Sequence, residues 1–247
     1  MILRRVTEHV KAQNWFAVGL DFIVVVVGVF VGLQAQDWAG ARAQAELHQR
    51  YYERLQADFE SIGVRIDSHL EAFEQQIAGA EYVIDLVRMP DEQFRLVEVD
   101  EPRLTDALSI LTEQRIPPGR SATYVEMLSA SQLSSLRNAA LRDKLAEYDR
   151  LCDIHLEVFR ATGMNNNDQL PALYRHLKIR TIGDPERLSG IRSVVYKYDL
   201  EGMRTDPEFE TAIMILDQST RNNLGVRKRE RALTNEILAL LARETAR

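Results

Sequence analysis

Asp21 is the residue whose type and position most clearly suggest chemistry. It lies inside an almost unbroken apolar run, WFAVGLDFIVVVVGVFVGL, which extends from Trp15 to Leu33. An ionisable side chain in a membrane helix costs about 2.5–3.5 kcal/mol on insertion scales, so a functional role is the default hypothesis. Three roles stay open for Asp21: a carboxyl hydrated near the membrane interface, a contact between helices, and a carrier of ions or protons.

Two glycines share a helix face with Asp21. Steps of four, three and four residues lead from Asp21 through Val25 and Gly28 to Gly32. A Gly-x-x-x-Gly pair lets two membrane helices approach each other closely. Asp21, Gly28 and Gly32 are therefore the candidate residues for helix contact or ion coupling.

Two other groups of residues have functional and structural interpretations. Cys152 and His155 are one helical turn apart and could form half of a metal site, but two ligands are too few, so a packed or half-exposed pair is favoured. The basic cluster formed by residues 227–229 and Arg231 could contact anionic lipid, but the solvated face of a helix is favoured.

The remaining chain has no recognisable catalytic motif. There is no phosphate-binding glycine loop and no Gly-x-Ser-x-Gly nucleophile elbow. We therefore expect a protein that is not an enzyme and has no cofactor, bound metal or small-molecule substrate. The formal net charge of −6 argues against nucleic acid as a partner, and the single cysteine excludes an intramolecular disulfide.

The apolar run is long enough to cross a membrane. About 20 helical residues span a hydrocarbon core of about 30 Å, and Trp15 and Trp38 stand at the two ends as interfacial anchors. A buried core helix and a signal peptide cleaved near Leu33 are the alternatives. We favour a retained single-pass anchor, because the run exceeds a usual signal segment and continues amphipathically beyond Gln34.

The orientation rests on weak charge asymmetry. Arg4, Arg5 and Lys11 precede the span, while Arg42, Arg50 and Arg54 follow it, which is a tie under the positive-inside rule. The first three residues belong to a short tail. This favours the bacterial inner membrane with the C-terminal domain in the periplasm.

The rest of the sequence predicts an all-α protein: a transmembrane helix that continues into a long stalk helix and an antiparallel helical bundle. We divide the chain into a basic tail over residues 1–14, the transmembrane helix over 15–38, the stalk over 39–90, and a bundle domain over 91–247 that packs on the stalk. Apolar residues recur at helical spacing in three segments, which should supply one core: Leu47–Val87, Leu133–Phe159 and Phe209–Leu241.

The boundaries between helices follow from local signals. Pro90 should end the stalk, and Ser121 or Thr123 should cap a short helix. The polar run Asn165–Asp168 should end the helix that begins near Gln132. The last helix should begin at the Thr205–Glu208 capping signal.

The loops are predicted to have little regular structure. Residues 91–102 are expected to form an irregular or briefly extended linker before a short helix over 103–114. Residues 179–204 are expected to be irregular, with one short helix near 189–196. No sustained β alternation is recognised.

Two segments have recognisable patterns: GLDFIVVVVGVFVGLQAQDW, from Gly19 to Trp38, and ATYVEMLSASQLSSLRNAALRDKLAEYDRL, from Ala122 to Leu151. Both resemble DUF6090, a bacterial family of membrane proteins of unknown function. The chain departs from the family pattern at Asp21, where Glu is usual, and at Ala130, where Gly is common. The resemblance implies a membrane-anchored helical protein without an assigned activity.

These observations lead to two functional hypotheses. The first is a scaffold or accessory subunit of a membrane protein assembly, with the lipid bilayer and further copies or subunits as partners. The second is an ion-coupled channel or stator-like subunit that uses Asp21, because Trp15 and Asp21-Phe22 before an apolar run also resemble the stator subunit of ion-driven motors.

Overall fold

The structure is a computed structural model that describes residues 15–183 and 192–245. It divides into two compact units, residues 1–51 and 52–247, and each is described by itself. The elements are α1 (Trp15–Arg88), α2 (Asp91–Phe94), α3 (Glu101–Ile110), α4 (Ala122–Ser129), α5 (Ala139–Tyr174), β1 (Leu177–Ile182), β2 (Arg192–Tyr198), α6 (Leu200–Thr205) and α7 (Pro207–Thr245). The prediction of an all-α fold with a long N-terminal helix is confirmed.

Three long helices form the core of the second unit. α7 is antiparallel to α1, since Arg231 pairs with Asp67 and Arg221 with Glu81, each at 2.7 Å. α7 is also antiparallel to α5, where Lys144 pairs with Glu236 at 2.7 Å. Most of each predicted apolar stripe is buried, with residues from α1 (Leu55, Phe59, Ile62, Ile66, Phe73, Ile77), α5 (Leu141, Leu145, Tyr148) and α7 (Phe209, Ile213, Leu216, Leu233, Ile237, Leu241). Leu47 and Leu156, which the predicted stripes also include, are each 39% exposed.

Distant side chains satisfy the ends of the shorter helices. Ser121 caps α4 by accepting from Tyr124 N at 3.1 Å, and Asp58 of α1 accepts from the Ser121 hydroxyl at 2.7 Å and from Thr123 N at 2.9 Å. Burial acts to raise the pKa of Asp58, but these hydrogen bonds outweigh it and the pKa is lowered. The backbone groups at helix ends need such partners, because they have none inside the helix.

Gln76 plays the corresponding role at the C-terminus of α3. Its amide Nε2 donates to the carbonyl oxygens of Ile110 and Leu111, both at 2.9 Å. Gln76 itself is buried on α1, so these bonds also satisfy a polar side chain inside the bundle.

Arg204 of α6 holds the C-terminus of α1. Its guanidinium donates to the carbonyl oxygens of Leu86 and Met89, both at 2.8 Å, and lies 3.8 Å from the ring centroid of Phe94. It also pairs with Asp91 at 2.7 Å. A cation at this position complements the negative end of the helix dipole and satisfies two terminal carbonyls.

The prediction that residues 179–204 are irregular is wrong. β1 and β2 form an antiparallel hairpin, and α6 follows it. A β-bulge between Lys178 and Ile179 interrupts the alternation, and only Leu177 and Val195 of the described strand residues are buried, so the periodic signal is weak. The hairpin is attached to α3 by the bond from Val195 N to Ser109 Oγ, at 2.9 Å.

The helix boundaries also need correction. The asparagine run does not end a helix, because α5 continues through Asn165–Asp168 and Pro171 to Tyr174. The three asparagines and Asp168 together disfavour a helix by about 2–3 kcal/mol, and tertiary packing of α5, to which full burial of Leu173 contributes about 1.5–3 kcal/mol, offsets this cost. α5 begins at Ala139 rather than near Gln132, capped by Asn138 Oδ1, which accepts from Leu141 N. Helix α2 forms inside the predicted linker, and α3 spans Glu101–Ile110 rather than 103–114.

Candidate functional site

The predicted membrane residues lie on α1. The backbone of Asp21, Gly28 and Gly32 is helical, so their spacing places them on one face. A Cβ atom added at Gly28 or Gly32 would meet nothing within 4 Å, and so this surface is open within the described structure. The side chains of Trp15 and Asp21 lie outside the described part, so the predicted roles of these side chains stay predictions.

The apolar segment of α1 is exposed on all sides. The large apolar side chains described between Leu20 and Trp38 are between 49% and 69% exposed. Among the described residues, one helix is long and apolar enough to cross a membrane, by length and composition. Soluble monomers rarely expose a continuous apolar surface larger than a few hundred Å². An exposed apolar surface of this kind is typical of a segment that contacts a membrane or another protein.

Trp38 has a cationic neighbour at the end of this segment. Its ring is 68% exposed, and the Arg42 guanidinium lies 5.9 Å from the ring centroid. An aromatic ring beside an arginine suits a membrane interface, where the ring contacts lipid and the cation reaches phosphate. The arrangement fits the anchoring role predicted for Trp38.

A buried polar cluster is the main concentration of ionisable groups in the second unit. Glu230 of α7 accepts a hydrogen bond from Arg227 through Oε2, and both side chains are almost fully buried. His155 Nδ1 lies 3.4 Å from the same oxygen. The Tyr148 hydroxyl lies 3.1 Å from Glu230 Oε1 and 3.1 Å from the Gly119 carbonyl oxygen, so its proton is shared between two acceptors.

The electrostatics of this cluster keep Glu230 ionised. Burial acts to raise its pKa, but the hydrogen bond from His155 and the charge of Arg227 outweigh burial, and the pKa is lowered. Burial and then the Glu230 charge raise the pKa of Tyr148. The same causes, burial first, raise the pKa of Cys152 to about 12. His69 on α1 is shifted in the opposite sense: burial and then the charge of Arg227 lower its pKa to about 4.

These shifts bear on the possible chemistry of Cys152. A thiol with a pKa near 12 carries almost no thiolate at neutral pH, and the thiolate is the nucleophile and metal ligand. The described residues contain no group of three or more His, Cys, Asp or Glu side chains placed to hold a metal. Cys152 and His155 are both buried, as the packed-pair interpretation predicts.

Arg227 does not belong to a solvated basic face with residues 228, 229 and 231, although the sequence predicts this. Its exposure is only 4%. Lys228 and Arg229 do face solvent, while Arg231 pairs with Asp67 at 2.7 Å. The available signal was position: Arg227 and Glu230 continue the buried stripe toward Leu233, at steps of three.

A second ionic cluster joins the C-terminal end of α5 to the start of α7. Asp206 Oδ2 accepts from Arg175 at 2.7 Å and lies 2.8 Å from His176 Nε2. Asp206 Oδ1 accepts from Glu208 N at 2.9 Å, which caps α7. The hydrogen bond to His176 is the largest cause that lowers the pKa of Asp206, to about 2.

This cluster predicts a specific acid sensitivity. Because the pKa of Asp206 is depressed from 3.8 to about 2, its stabilising contribution is present above pH 3.8 and is lost as the pH falls toward 2. Asp206→Asn, which can still cap a helix, should weaken the fold at neutral pH and flatten the loss of stability between pH 4 and 2. Urea titrations at a series of pH values would measure this. The exposed Asp168→Asn is the control, and an unchanged pH slope in Asp206→Asn would contradict the assignment.

Comparison with known proteins identifies no relative. No family description, curated protein or solved structure matches the chain.

Proposed function

We propose that this chain is a membrane-anchored scaffold or accessory subunit of a membrane protein assembly. The main support is the exposure of the apolar segment of α1. Every described large apolar side chain from Leu20 to Leu33 is at least 49% exposed. Moving one such side chain out of water contributes about 1.5–3 kcal/mol, and the segment contains many of them. This total exceeds the insertion penalty of about 2.5–3.5 kcal/mol for Asp21.

The second unit supports a binding role rather than catalysis. Its most concentrated ionisable groups, around Glu230, face one another in the bundle and hold α5 and α7 together. A cavity beside Phe73 and Asn166 has a volume of about 20 Å³, which suits one water molecule. Two larger hollows, of about 410 Å³ beside Pro207 and about 500 Å³ beside Tyr82, lie at the surface. These features favour a protein that acts through its surface.

The proposed location is the bacterial inner membrane, with a single span and the C-terminal unit in the periplasm. The support is the basic tail before the span, and the resemblance to DUF6090 agrees with a bacterial membrane protein. Carbonate extraction should leave the full chain in the membrane fraction, and intact mass should show an uncleaved N-terminus. A soluble product that begins near Gln36 would contradict the anchor.

The role of the Asp21 face can be tested separately. If Gly28 and Gly32 mediate contact between helices, Gly28→Ile and Gly32→Ile should weaken association of the spans, while Asp21→Asn should be tolerated. An amide still donates and accepts hydrogen bonds across membrane helices, an effect of about 0.6–2 kcal/mol. Val25→Ile is the matched control on the same face.

The ion-coupled alternative predicts the reverse order. Asp21→Asn would then abolish function, because an amide cannot take up and release a proton. A span-association assay beside a growth phenotype separates the two hypotheses. Association unchanged by both glycine substitutions would contradict the contact face. Co-purification of the native protein with mass spectrometry of its partners tests the scaffold role itself.

A further inference from the structure

The hairpin of the second unit has a free edge. β1 pairs with β2 in a two-stranded sheet, and four consecutive residues of β1, from Lys178 to Thr181, are exposed. The backbone N–H and C=O groups on the side of β1 away from β2 have no partner strand among the described residues. Such an edge can accept another extended segment.

The solvent side of the hairpin is basic. The register places Lys178 opposite Lys197, and Arg180 is two residues beyond Lys178 on the same face. We call these three residues the basic hairpin face. None of them forms an ion pair with a described residue, although the chain as a whole has a net charge of −6. Like charges directly opposite each other destabilise a sheet, so this face is complementary to a bound anionic group.

An acidic counterpart exists on the chain itself. Residues 96–101, LVEVDE, precede and enter α3, and we call them the acidic segment. Glu98, Asp100 and Glu101 are exposed, and Leu96 is 87% exposed, an unusual state for a leucine in a folded unit. Glu98 and Asp100 have the same two-residue spacing as Lys178 and Arg180, so an extended segment presents both carboxylates on one side. Asp100 Oδ1 accepts from Arg103 N at 3.1 Å as the cap of α3, which leaves Oδ2 for a partner.

The two surfaces are supported by the same part of the core. Leu177 and Val195 of the hairpin belong to the apolar cluster that includes Leu86 and Leu104, and Val99 of the acidic segment packs against it. Both surfaces therefore lie at one end of the bundle. In a ring of identical copies, surfaces that meet must lie at the same level along the ring axis.

Charge decides which surfaces can meet. Two hairpins that paired through their β1 edges would bring Lys178 and Arg180 of one copy against the same residues of the other, which is unfavourable. We propose that the basic hairpin face of one copy binds the acidic segment of a second copy along the free edge of β1.

The contact joins two different surfaces, which two copies can exchange reciprocally about a two-fold axis or which head-to-tail copies can close into a ring of three or more. Either closed assembly rests on the proposed function, because anchors that cross one bilayer in the same direction require a rotation axis along the membrane normal. The contact itself does not depend on the anchor. A failed membrane extraction test would therefore remove the orientation of the axis and leave the contact to be tested.

Cross-linking of the full chain in detergent tests which surfaces meet. Copies with Lys197→Cys and one affinity tag are mixed with copies that carry Glu98→Cys and a second tag, and a short bis-maleimide is added. Cys152 is buried and should not react. Cross-linked dimers that carry both tags are expected from the mixture. Their absence, or equal cross-linking when Arg160→Cys replaces Lys197→Cys, would overturn the proposal.

Charge reversal measures the strength of the contact. Lys178→Glu/Arg180→Glu/Lys197→Glu should lower the association constant about tenfold, measured by analytical ultracentrifugation at low salt. The control Arg65→Glu/Arg160→Glu/Arg229→Glu makes the same change in net charge at exposed positions. Copies with Glu98→Lys/Glu101→Lys should restore binding to the triple hairpin variant. Equal losses of association in the hairpin and control variants would overturn the contact. So would a failure of Glu98→Lys/Glu101→Lys to restore binding to the triple hairpin variant. Circular dichroism verifies that each variant is folded.

Discussion

Arg227→Met is expected to lower the free energy of unfolding by about 3–5 kcal/mol. The substitution keeps an apolar chain of similar length but leaves the Glu230 carboxylate buried without its cation. Breaking a buried ion pair from one side has this large effect, because the remaining charge is desolvated and uncompensated. Urea titration of the full chain in detergent, followed by circular dichroism, would measure the change.

A second substitution separates this cause from lost packing. In Arg227→Met/Glu230→Gln the buried charge is gone, while the amide can still accept from Tyr148. The double variant should therefore be more stable than Arg227→Met alone. Arg229→Met, at an exposed position two residues away, should change stability by less than about 0.5 kcal/mol. If Arg227→Met and Arg229→Met lowered the free energy of unfolding equally, the buried ion pair of Arg227 and Glu230 would be refuted.

Arg204→Ala should lower the free energy of unfolding by about 3–4 kcal/mol. The estimate combines charged hydrogen bonds to the carbonyls of Leu86 and Met89, worth about 1.5–3 kcal/mol each, with the cation–π contact to Phe94, and allows for partial rehydration. Arg204→Lys should recover less than half of the loss. A lysine is a single point charge that cannot reproduce the planar fork of the guanidinium.

Hydrogen exchange would show which part of the molecule Arg204 stabilises. Amides in the last turns of α1, near Leu86, should lose protection in Arg204→Ala more than amides near Phe59. Arg160→Ala, at an exposed position on α5, is the stability control. If Arg204→Ala were as stable as Arg160→Ala, the guanidinium would not hold the end of α1.

The long helices could be predicted because their signal is periodic and local. The predicted stripe on α7, from Phe209 through Ile213 and Leu216 to Leu241, is buried throughout. The helix-start signal before Pro207 is also confirmed, since α7 begins there. Capping by Ser121 could be predicted too, because the Ser121 hydroxyl and the Tyr124 N–H that donates to it lie within one turn.

Features that depend on distant contacts could not be predicted. In the sequence, Arg204 and Arg227 cannot be distinguished from ordinary exposed arginines. Their burial depends on contacts with residues of neighbouring helices, and the sequence alone does not show which residues those are. The continuation of α5 through Asn165–Asp168 goes against local propensity, and tertiary packing that includes the buried Leu173 compensates for it. The hairpin could not be predicted from the sequence, because a bulge interrupts the alternation of apolar and polar residues and few of its residues are buried.

The hydrogen bonds from Arg204 to the C-terminal end of α1 have a consequence for synthesis of the chain. The C-terminal turn of α1 is completed by a residue that lies 115 positions after Met89 in the sequence (204 − 89 = 115). At about 5–20 residues per second, translation takes roughly 6–23 seconds to reach Arg204 after the helix has emerged. During this interval the apolar stripe around Leu55 and Ile66 is uncovered, because the helices that bury it in the finished fold, α5 and α7, are not yet complete. The apolar stripe of the nascent chain should therefore stay exposed until α7 has been synthesised.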